Sequence, residues 1–231
     1  MRIGLIGLAG TGKDTVAAML QEFTGLPCVA FATPLHDAAL HTFGADCLNR
    51  ENKEREYPFG DKVFERFYAY HIEFVSMLQE WYGIITADNV SKMATIRNIF
   101  INADTKRVRE TLSPRRLMQL YGTEYWREIA PDIFVYLLRN AYDNAIIPDV
   151  RFANEAAICD LLIGVKRPNV AAVAGHSSEE LAQMLDDMQD CESSVIVEFE
   201  NRPIPCVVID NNGTMDELWQ KVKRIAENLK T

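Results

Sequence analysis

The stretch Gly-Leu-Ala-Gly-Thr-Gly-Lys-Asp-Thr occupies residues 7–15 and directly follows a short apolar run that begins at Arg2. From residue 14 onward, apolar side chains recur at helical spacing as far as Phe23. The order is therefore strand, glycine-rich turn and helix. Because strands and helices go on alternating along the chain, the sequence predicts an α/β fold with a central parallel sheet flanked by helices.

The glycine-rich turn also matches the pattern G-x-x-x-x-G-K through Gly7, Gly12 and Lys13. Glycine lets the backbone curl so that successive N–H groups point at one centre, where the helix dipole and the lysine add positive charge. This chemistry suits the phosphates of a nucleotide, whereas the alternative is a structural turn with a solvated lysine. The nucleotide-binding interpretation assigns the phosphate contacts to Gly7, Gly10, Thr11, Gly12, Lys13, Asp14 and Thr15.

Asp14 stands where this pattern usually has a serine or threonine that contacts Mg²⁺. A carboxylate is an equally hard oxygen ligand, so Asp14 is a candidate to hold Mg²⁺ directly or through water. It is equally well explained as an acidic residue that favours the first turn of a helix. The residues alone leave both interpretations open.

The composition limits the classes of function. With 231 residues, 48% of them hydrophobic and 25% charged, the chain is expected to form one compact domain. The net charge of -9 disfavours binding to a nucleic acid polymer, which needs a surplus of lysine and arginine. No apolar run approaches the roughly 20 residues that cross a membrane. The scattered cysteines lack metal-binding spacing and are expected to be reduced thiols of a cytoplasmic protein.

The other elements are predicted from periodicity and from turn residues. Strands are predicted at 28–32, 145–150, 163–167, 195–199 and 206–210. Helices are predicted at 35–43, 62–82, 114–121, 132–144, 154–162 and 177–188. A final helix follows Thr214, which is expected to form a capping box with Glu217. Residues 45–112 interrupt the alternation and are interpreted as a helical insertion, whose aromatic residues we expect to pack together.

Asp149 and Arg151 lie at the carboxyl end of the strand predicted at 145–150. Open α/β sheets place their ligands at this edge. Asp149 is suited to orient Mg²⁺ or to accept a proton, and Arg151 is suited to clamp a phosphate. The alternative is an ion pair at the strand end without a role in binding.

Two adjacent arginines, Arg115 and Arg116, fall in the first turn of the helix predicted at 114–121. The helix dipole favours acidic residues at that end, so the pair indicates an anionic partner. The competing interpretation is that one arginine is solvated and the other is paired with a nearby acid. Arg167 offers another cation before a polar loop, whereas His176 in that loop is more simply explained as a loop or capping residue.

Several segments in the same order resemble the phage-type deoxynucleoside monophosphate kinases of the P-loop kinase superfamily. They are Gly-Lys-Asp-Thr at 12–15, Ser-Pro-Arg-Arg-Leu-Met-Gln at 113–119 with Gly-Thr-Glu at 122–124, Pro-Asp-Val-Arg-Phe-Ala-Asn-Glu at 148–155, Arg-Pro at 167–168, His-x-Ser-Glu at 176–179 and Asp-Asn-Asn-Gly-Thr at 210–214. The aspartate at position 14 is typical of that family. The resemblance covers nearly the whole chain.

This resemblance implies a single P-loop kinase domain over residues 1–231, with an acceptor-binding helical insertion at about 45–112 and a lid-like segment at about 167–190. It implies transfer of the γ-phosphoryl group of ATP to a deoxynucleoside monophosphate with Mg²⁺, in the host cytoplasm if the protein is viral. The oligomeric state stays open, a homodimer being one alternative.

The resemblance also implies roles for individual residues. Those assigned to catalysis are Lys13, Arg116, Asp149 and Arg151. Those assigned to the acceptor are Arg115, Arg116, Gln119, Arg151 and Glu155. The phosphate-loop residues are joined at the donor by Arg167, Asn211 and Gly213, and Mg²⁺ is assigned to Asp14 and Asp149.

Two other functions are compatible with the same residues. The first is a P-loop kinase of another small acceptor, such as dephospho-coenzyme A or a phosphorylated metabolite. The second is a regulatory protein that binds a nucleotide without acceptor turnover. Measuring which acceptor, if any, is required for ADP production distinguishes the monophosphate kinase from these two alternatives.

Overall fold

The computed structural model describes residues 1–49, 51–79, 95–168, 170, 181 and 195–229. The chain forms two compact units. Unit 1 comprises Met1–Phe31 and Phe134–Thr231, and unit 2 is the continuous segment Ala32–Ile133. The helical insertion predicted at 45–112 lies within unit 2, which starts earlier and ends later. Most of the predicted lid-like segment, including His176 and the helix at 177–188, lies outside the described residues.

The sheet of unit 1 has the strand order β4-β1-β5-β7-β6. The strands of the described residues are β1 (Arg2–Ile6), β2 (Tyr57–Pro58), β3 (Thr111–Leu112), β4 (Ala145–Ile147), β5 (Leu161–Lys166), β6 (Val195–Phe199) and β7 (Arg202–Asp210). The predicted parallel sheet is confirmed for β4, β1, β5 and β7. Their carboxyl ends therefore share one edge of the sheet, which is where such sheets bind ligands.

Strand β6 departs from the prediction because it runs antiparallel to β7. Only Glu200 and Asn201 separate these two strands, and their φ angles are 50° and 61°. Two residues in the left-handed region form the tight turn of a β-hairpin, which allows only an antiparallel pair. The hairpin thus closes one side of an otherwise parallel sheet.

Helices flank the sheet and build unit 2. Within the described ranges they are α1 (Lys13–Thr24), α2 (Thr33–Phe43), α3 (Gly60–Met77), α4 (Pro114–Tyr121), α5 (Arg127–Ile129), α6 (Ile133–Ala141), α7 (Ala153–Ala156) and α8 (Met215–Asn228). The bounds of α4 match the prediction. The predicted capping box of α8 is confirmed, since the Thr214 hydroxyl accepts from the Glu217 backbone and the Glu217 carboxylate accepts from Thr214. None of these helices is long and apolar enough to span a membrane.

The core of unit 1 is formed by alternate strand residues and one face of each covering helix. Ile3 and Leu5 of β1 and Ile163 of β5 are fully buried, as are Val16 of α1 and Val222 of α8. The apolar spacing of α1 and α8 places those side chains on the face toward the sheet. Burial of these side chains holds β1 and α1 in place, and the glycine-rich turn connects them.

Two predicted elements differ clearly from the structure, the strand at 28–32 and the helix at 154–162. Residues 28–32 form a single bridge, from Cys28 to Ile146, rather than a strand. Pairing cannot extend, because β4 ends at Ile147 before a proline that has no N–H to donate. The helix predicted at 154–162 ends at Ala156, since Asp160 already pairs with Arg2 and residues 161–162 belong to β5.

Unit 2 combines helices with a short hairpin. Strands β2 and β3 pair antiparallel, and α2 packs on both α3 and α4. Phe64, Phe67 and Phe74 of α3 are buried against further aromatic rings, which confirms packing as the role of the described part of the aromatic run. Trp81 and Tyr82 lie outside the described residues.

Candidate active site

The turn between β1 and α1 is shaped by three glycines in conformations that other residues rarely adopt. The φ angles of Gly7, Gly10 and Gly12 are 150°, 87° and 103°. A Cβ at Gly7 would lie only 2.4 Å from the carbonyl oxygen of Val165. Glycine is therefore required here both by backbone conformation and by the close approach of β5.

Lys13 is the first residue of α1, and its side chain folds back over the turn. Its Nζ donates hydrogen bonds to the carbonyl oxygens of Gly7 and Leu8, each at 2.8 Å. Helix α1 has Gly12 at its N-cap and no side-chain cap. The arrangement joins a full positive charge to the positive end of a helix dipole, which is the chemistry of a phosphate-binding loop.

The two threonines of the turn have different environments. Thr11 is only 2% exposed, and its hydroxyl donates to the Leu8 carbonyl at 2.9 Å. Thr15 in the first turn of α1 is half-buried, whereas Asp14 is exposed. Thr11 thus closes the loop on itself, while Asp14 and Thr15 begin the helix that follows.

The negative charges of Asp14 and Asp149 both affect the pKa of Cys28. Burial, followed by the charges of Asp14 and Asp149, raises the pKa of the Cys28 thiol. Both carboxylates are therefore close enough to Cys28 to affect its thiol. Their roles in binding Mg²⁺ stay predictions.

Asp149 lies in the loop after β4, two residues beyond the end of the strand. Its Oδ1 accepts a hydrogen bond from the backbone N–H of Phe31 at 2.9 Å. The predicted strand at 145–150 is thus too long, but Asp149 is still at the carboxyl edge of the sheet. The described residues include no group of three or more histidine, cysteine, aspartate or glutamate side chains that could hold a metal ion.

Arg151 follows in the same loop and faces solvent, whereas Glu155 lies in the short helix α7 that comes next. Glu155 is 1% exposed, and its Oε2 accepts from the backbone N–H groups of Arg151 at 2.8 Å and Phe152 at 3.2 Å. The buried carboxylate therefore fixes the backbone from which the exposed Arg151 side chain projects. This geometry points to a positioning role for Glu155.

A cavity of about 310 Å³ adjoins the phosphate loop. It is lined by Gly7, Leu8 and Thr11 from the loop and, at the ends of β5 and β7, by residues that include Arg167, Asp210 and Asn212. Asn211 and Gly213 line a second, smaller cavity of about 180 Å³ beside it. The predicted donor residues therefore surround one part of the sheet edge.

In unit 2, both arginines at the start of α4 are paired with acids. Arg115 forms an ion pair with Glu54, and Arg116 Nη1 lies 2.5 Å from Glu124 Oε1. The backbone N–H of Arg116 is capped by the Ser113 hydroxyl at 3.2 Å. Both pairs are largely exposed, so either guanidinium can exchange its partner at small cost. The sequence-based alternative of one solvated and one paired arginine is wrong.

Sequence reasoning missed a buried histidine behind these arginines. His71 of α3 is 2% exposed, its Nδ1 lies 3.1 Å from the Tyr121 hydroxyl and its Nε2 lies 3.4 Å from that of Tyr125. Burial lowers the pKa of His71 to about 4. The helical spacing of His71 with Phe67 and Phe74 is the sequence signal that could have indicated burial.

Tyr125 belongs to a π-helical turn, Gly122–Trp126, that continues α4. Such turns change the direction in which successive side chains point. Here the turn directs Tyr125 to buried His71 while Glu124 contacts exposed Arg116. Gln119 of α4 is half-buried.

A mostly parallel sheet with a glycine-built phosphate loop between its first strand and first helix defines a P-loop nucleotide-binding protein with a kinase-like fold. No protein-family model matches the chain. It is 26% identical over 178 residues to a deoxynucleoside-5'-monophosphate kinase of Escherichia phage T5, covering 68% of this chain and 70% of that protein. It is also 26% identical over 239 residues to a protein of Acanthamoeba polyphaga mimivirus named deoxynucleotide monophosphate kinase, covering 93% and 98%. The resemblance predicted from the motifs is confirmed by these two relatives.

Proposed function

We propose that this chain is a kinase that transfers the γ-phosphoryl group of ATP to a deoxynucleoside monophosphate. The observation that carries the proposal is the phosphate loop, in which Lys13 and the uncapped N-terminus of α1 meet at the carboxyl edge of a parallel sheet. The names of both relatives support a monophosphate as the acceptor. The loop is the basis for proposing nucleotide binding, and the relatives are the basis for proposing a deoxynucleoside monophosphate as the acceptor.

On the donor side, the loop residues Gly7 to Thr15 bind the phosphates of ATP. Lys13 exchanges its contacts with the Gly7 and Leu8 carbonyls for phosphate oxygens. The cavity beside the loop is large enough for part of the nucleoside, and Arg167 on its wall neutralises phosphate charge. Gly213 and the backbone near it contribute to the neighbouring surface.

Mg²⁺ fits the carboxylates of unit 1. It usually takes one or two carboxylates and completes its coordination with water and substrate phosphates. Asp14 and Asp149 both belong to unit 1, and each would supply a hard oxygen ligand, directly or through water. When bound there, the ion would neutralise charge on the β- and γ-phosphates.

The cations assigned to the acceptor lie in both units and are described for each unit by itself. In unit 1, the exposed Arg151 binds the acceptor phosphate or the phosphoryl group in transfer, and buried Glu155 holds its backbone. In unit 2, Arg115 and Arg116 exchange their acidic partners for phosphate, and Gln119 on the same helix binds the nucleoside. Asp149 orients the acceptor oxygen as well as the ion.

Phosphoryl transfer to such an acceptor requires no covalent intermediate with the protein. The attacking phosphate oxygen is already ionised at neutral pH, so the protein mainly has to align it with the γ-phosphorus and neutralise the spread negative charge. In unit 1, Lys13 and Arg151 are the residues to which we assign that charge, and in unit 2 it is Arg116. Excluding water from the reacting groups would suppress hydrolysis of ATP.

The proposal is tested by measuring ADP release from ATP and Mg²⁺ with each of the four common deoxynucleoside monophosphates. Dephospho-coenzyme A and the ribonucleoside monophosphates are tested under the same conditions as comparison acceptors. We expect release that depends on at least one deoxynucleoside monophosphate, with the diphosphate formed in equal amount. Turnover with dephospho-coenzyme A alone, or nucleotide binding without any acceptor-dependent release, would refute the proposal.

A further inference from the structure

Asn211 contacts the phosphate loop with its side chain, 200 positions away in sequence. Its Nδ2 donates a hydrogen bond to the carbonyl oxygen of Thr11 at 2.8 Å. Its backbone N–H donates to the Lys166 carbonyl at 2.7 Å and thereby extends the pairing of β5 with β7 by one residue. The amide is therefore anchored to the sheet at one end and to the loop at the other.

The contact is close enough to involve Gly12 as well. A Cβ placed on Gly12 would lie 2.5 Å from Asn211 Nδ2. Gly12 has a φ of 103° and a ψ of 18° and forms the N-cap of α1. The side chain of Asn211 thus lies directly against the peptide group that joins Thr11 to Gly12.

The orientation of that peptide group determines where a backbone donor points. In a trans peptide the C=O and N–H bonds point in nearly opposite directions, and the described peptide bonds are trans. A Thr11 carbonyl that faces Asn211 therefore directs the Gly12 N–H away from Asn211. Because Gly12 has access to both signs of φ, a loop without this bond can also adopt the flipped peptide.

We propose that Asn211 is a positioning residue for the donor phosphates, because its amide selects the orientation of the Thr11–Gly12 peptide in which the Gly12 N–H is presented to phosphate. This inference rests on the proposed function of the loop. The alternative role for Asn211 at the donor is a direct contact with the base. The two roles differ in the part of the nucleotide whose binding depends on Asn211.

The test measures the binding of two probes with Mg²⁺ by titration calorimetry, ADP and inorganic tripolyphosphate, which has phosphates but no base. We expect Asn211→Ala to weaken both probes by the same factor, about threefold to tenfold, as for one lost hydrogen bond. Asn211→Asp, which keeps the shape but places a second acceptor against the Thr11 carbonyl, should weaken both at least as much. Asn140→Ala is the matched control, because its Nδ2 also donates to a backbone carbonyl in unit 1, that of Tyr136 at 2.7 Å.

The outcomes separate the alternatives. Weaker binding of ADP with unchanged binding of tripolyphosphate would overturn the inference in favour of a base contact. Unchanged binding of both probes in the two Asn211 variants would also overturn it. Failure of the unaltered protein to bind either probe would refute the nucleotide-binding function itself, and the role of Asn211 with it.

A second measurement examines the same contact through stability. Gly10 and Gly12 both have left-handed φ angles, but a Cβ on Gly10 meets nothing within 4 Å. Gly12→Ala should therefore lower the melting temperature more than Gly10→Ala in the otherwise unaltered protein. In the Asn211→Ala background the difference between the two decreases should become smaller, and a difference of unchanged size would contradict the contact.

Discussion

The two helix N-termini to which the sequence assigns phosphate binding begin in different ways. Helix α1 starts from Gly12 without a side-chain cap, and its loop presents backbone groups and Lys13. Helix α4 starts from Ser113, whose hydroxyl caps the backbone N–H of Arg116. In the proposed function the N-terminus of α1 itself contacts phosphate, whereas the backbone N–H groups at the start of α4 already have acceptors.

The difference separates two ways of binding an anion. Backbone donors in a loop of glycines are fixed by the fold, so little conformational entropy is lost when a phosphate binds. The guanidinium groups of α4 lie on long side chains and are held by exposed carboxylates. In the proposed function the first, preformed site holds the donor phosphates, and the second, whose arginines can exchange their acidic partners, holds the acceptor phosphate.

Removing Lys13 should have the largest effect. Lys13→Ala deletes the full charge at the centre of the loop while the glycines and the core of α1 stay in place. We expect kcat to fall by roughly a hundredfold to a thousandfold, with an unchanged circular dichroism spectrum. Lys62→Ala, an exposed lysine of α3, is the control. Near-normal turnover by folded Lys13→Ala protein would contradict the role of α1 as the donor-phosphate site and, with it, the comparison between α1 and α4.

The next largest effect should come from Arg116. Arg116→Ala removes a charged hydrogen-bond donor, so the KM of the acceptor should rise roughly tenfold to a hundredfold while the KM of ATP stays within about twofold. Arg97→Ala is the matched control, because Arg97 is also largely exposed and paired, with Asp61 at 2.7 Å in the same unit. Equal changes in both KM values would show that α4 does not discriminate acceptor from donor.

As the pH is lowered, we expect the packing around α4 to be destabilised at a higher pH than the region of α1. Burial keeps His71 neutral in the folded state, with a pKa of about 4 against 6.5 in the unfolded chain. Below pH 6.5 the unfolded state takes up a proton that the folded state does not, so folding loses up to about 3 kcal/mol between pH 6.5 and 4. Urea unfolding followed by Trp126, which contacts His71, measures this loss in protein with Trp81→Phe and Trp219→Phe.

The control for this effect is a comparison of histidines. His71→Gln should flatten the dependence of stability on pH between 6.5 and 4. His41→Gln, at an exposed position of α2, should leave it unchanged. A pH dependence that survives in His71→Gln would locate the acid-sensitive group elsewhere.

The smallest effect should be electrostatic and confined to the loop region. Asp149→Asn and Asp14→Asn each remove a charge that raises the pKa of Cys28, while the larger effect of burial remains. The thiol should therefore ionise more readily, and Cys28 should be alkylated faster at pH 8, as followed by peptide mapping. Asp143→Asn, a fully exposed acid of unit 1, should leave the rate unchanged. Unaltered rates in both test variants would place these carboxylates apart.

The sequence predicted correctly those features that depend on residues close to one another in the chain. The Ser-Pro start predicts both ends of α4 correctly, and the capping box predicts the start of α8. The glycines of the phosphate loop likewise carry their own conformational requirement. Each of these features depends on residues within a few positions of one another.

Signals failed wherever distant segments decide the outcome. The run at 28–32 has the apolar residues of a strand, yet it pairs with β4 only through the bridge from Cys28 to Ile146, because β4 ends one residue later. The bond from Asn211 to Thr11 and the partners Glu54 and Glu124 depend on the folded arrangement rather than on spacing. The sequence therefore predicted the partners of polar side chains less reliably than it predicted the ends of helices.

The division of the chain has a consequence for how such a protein can diversify. Unit 2 is one uninterrupted segment, and the backbone leaves the sheet-containing unit after Phe31 and rejoins it at Phe134. Every strand of the large sheet is encoded outside that segment. Recombination at these two junctions would exchange unit 2, to which we assign Arg115 and Arg116 of the acceptor site, as a block and leave the phosphate loop intact. New acceptor preferences could therefore arise by replacement of a single gene fragment.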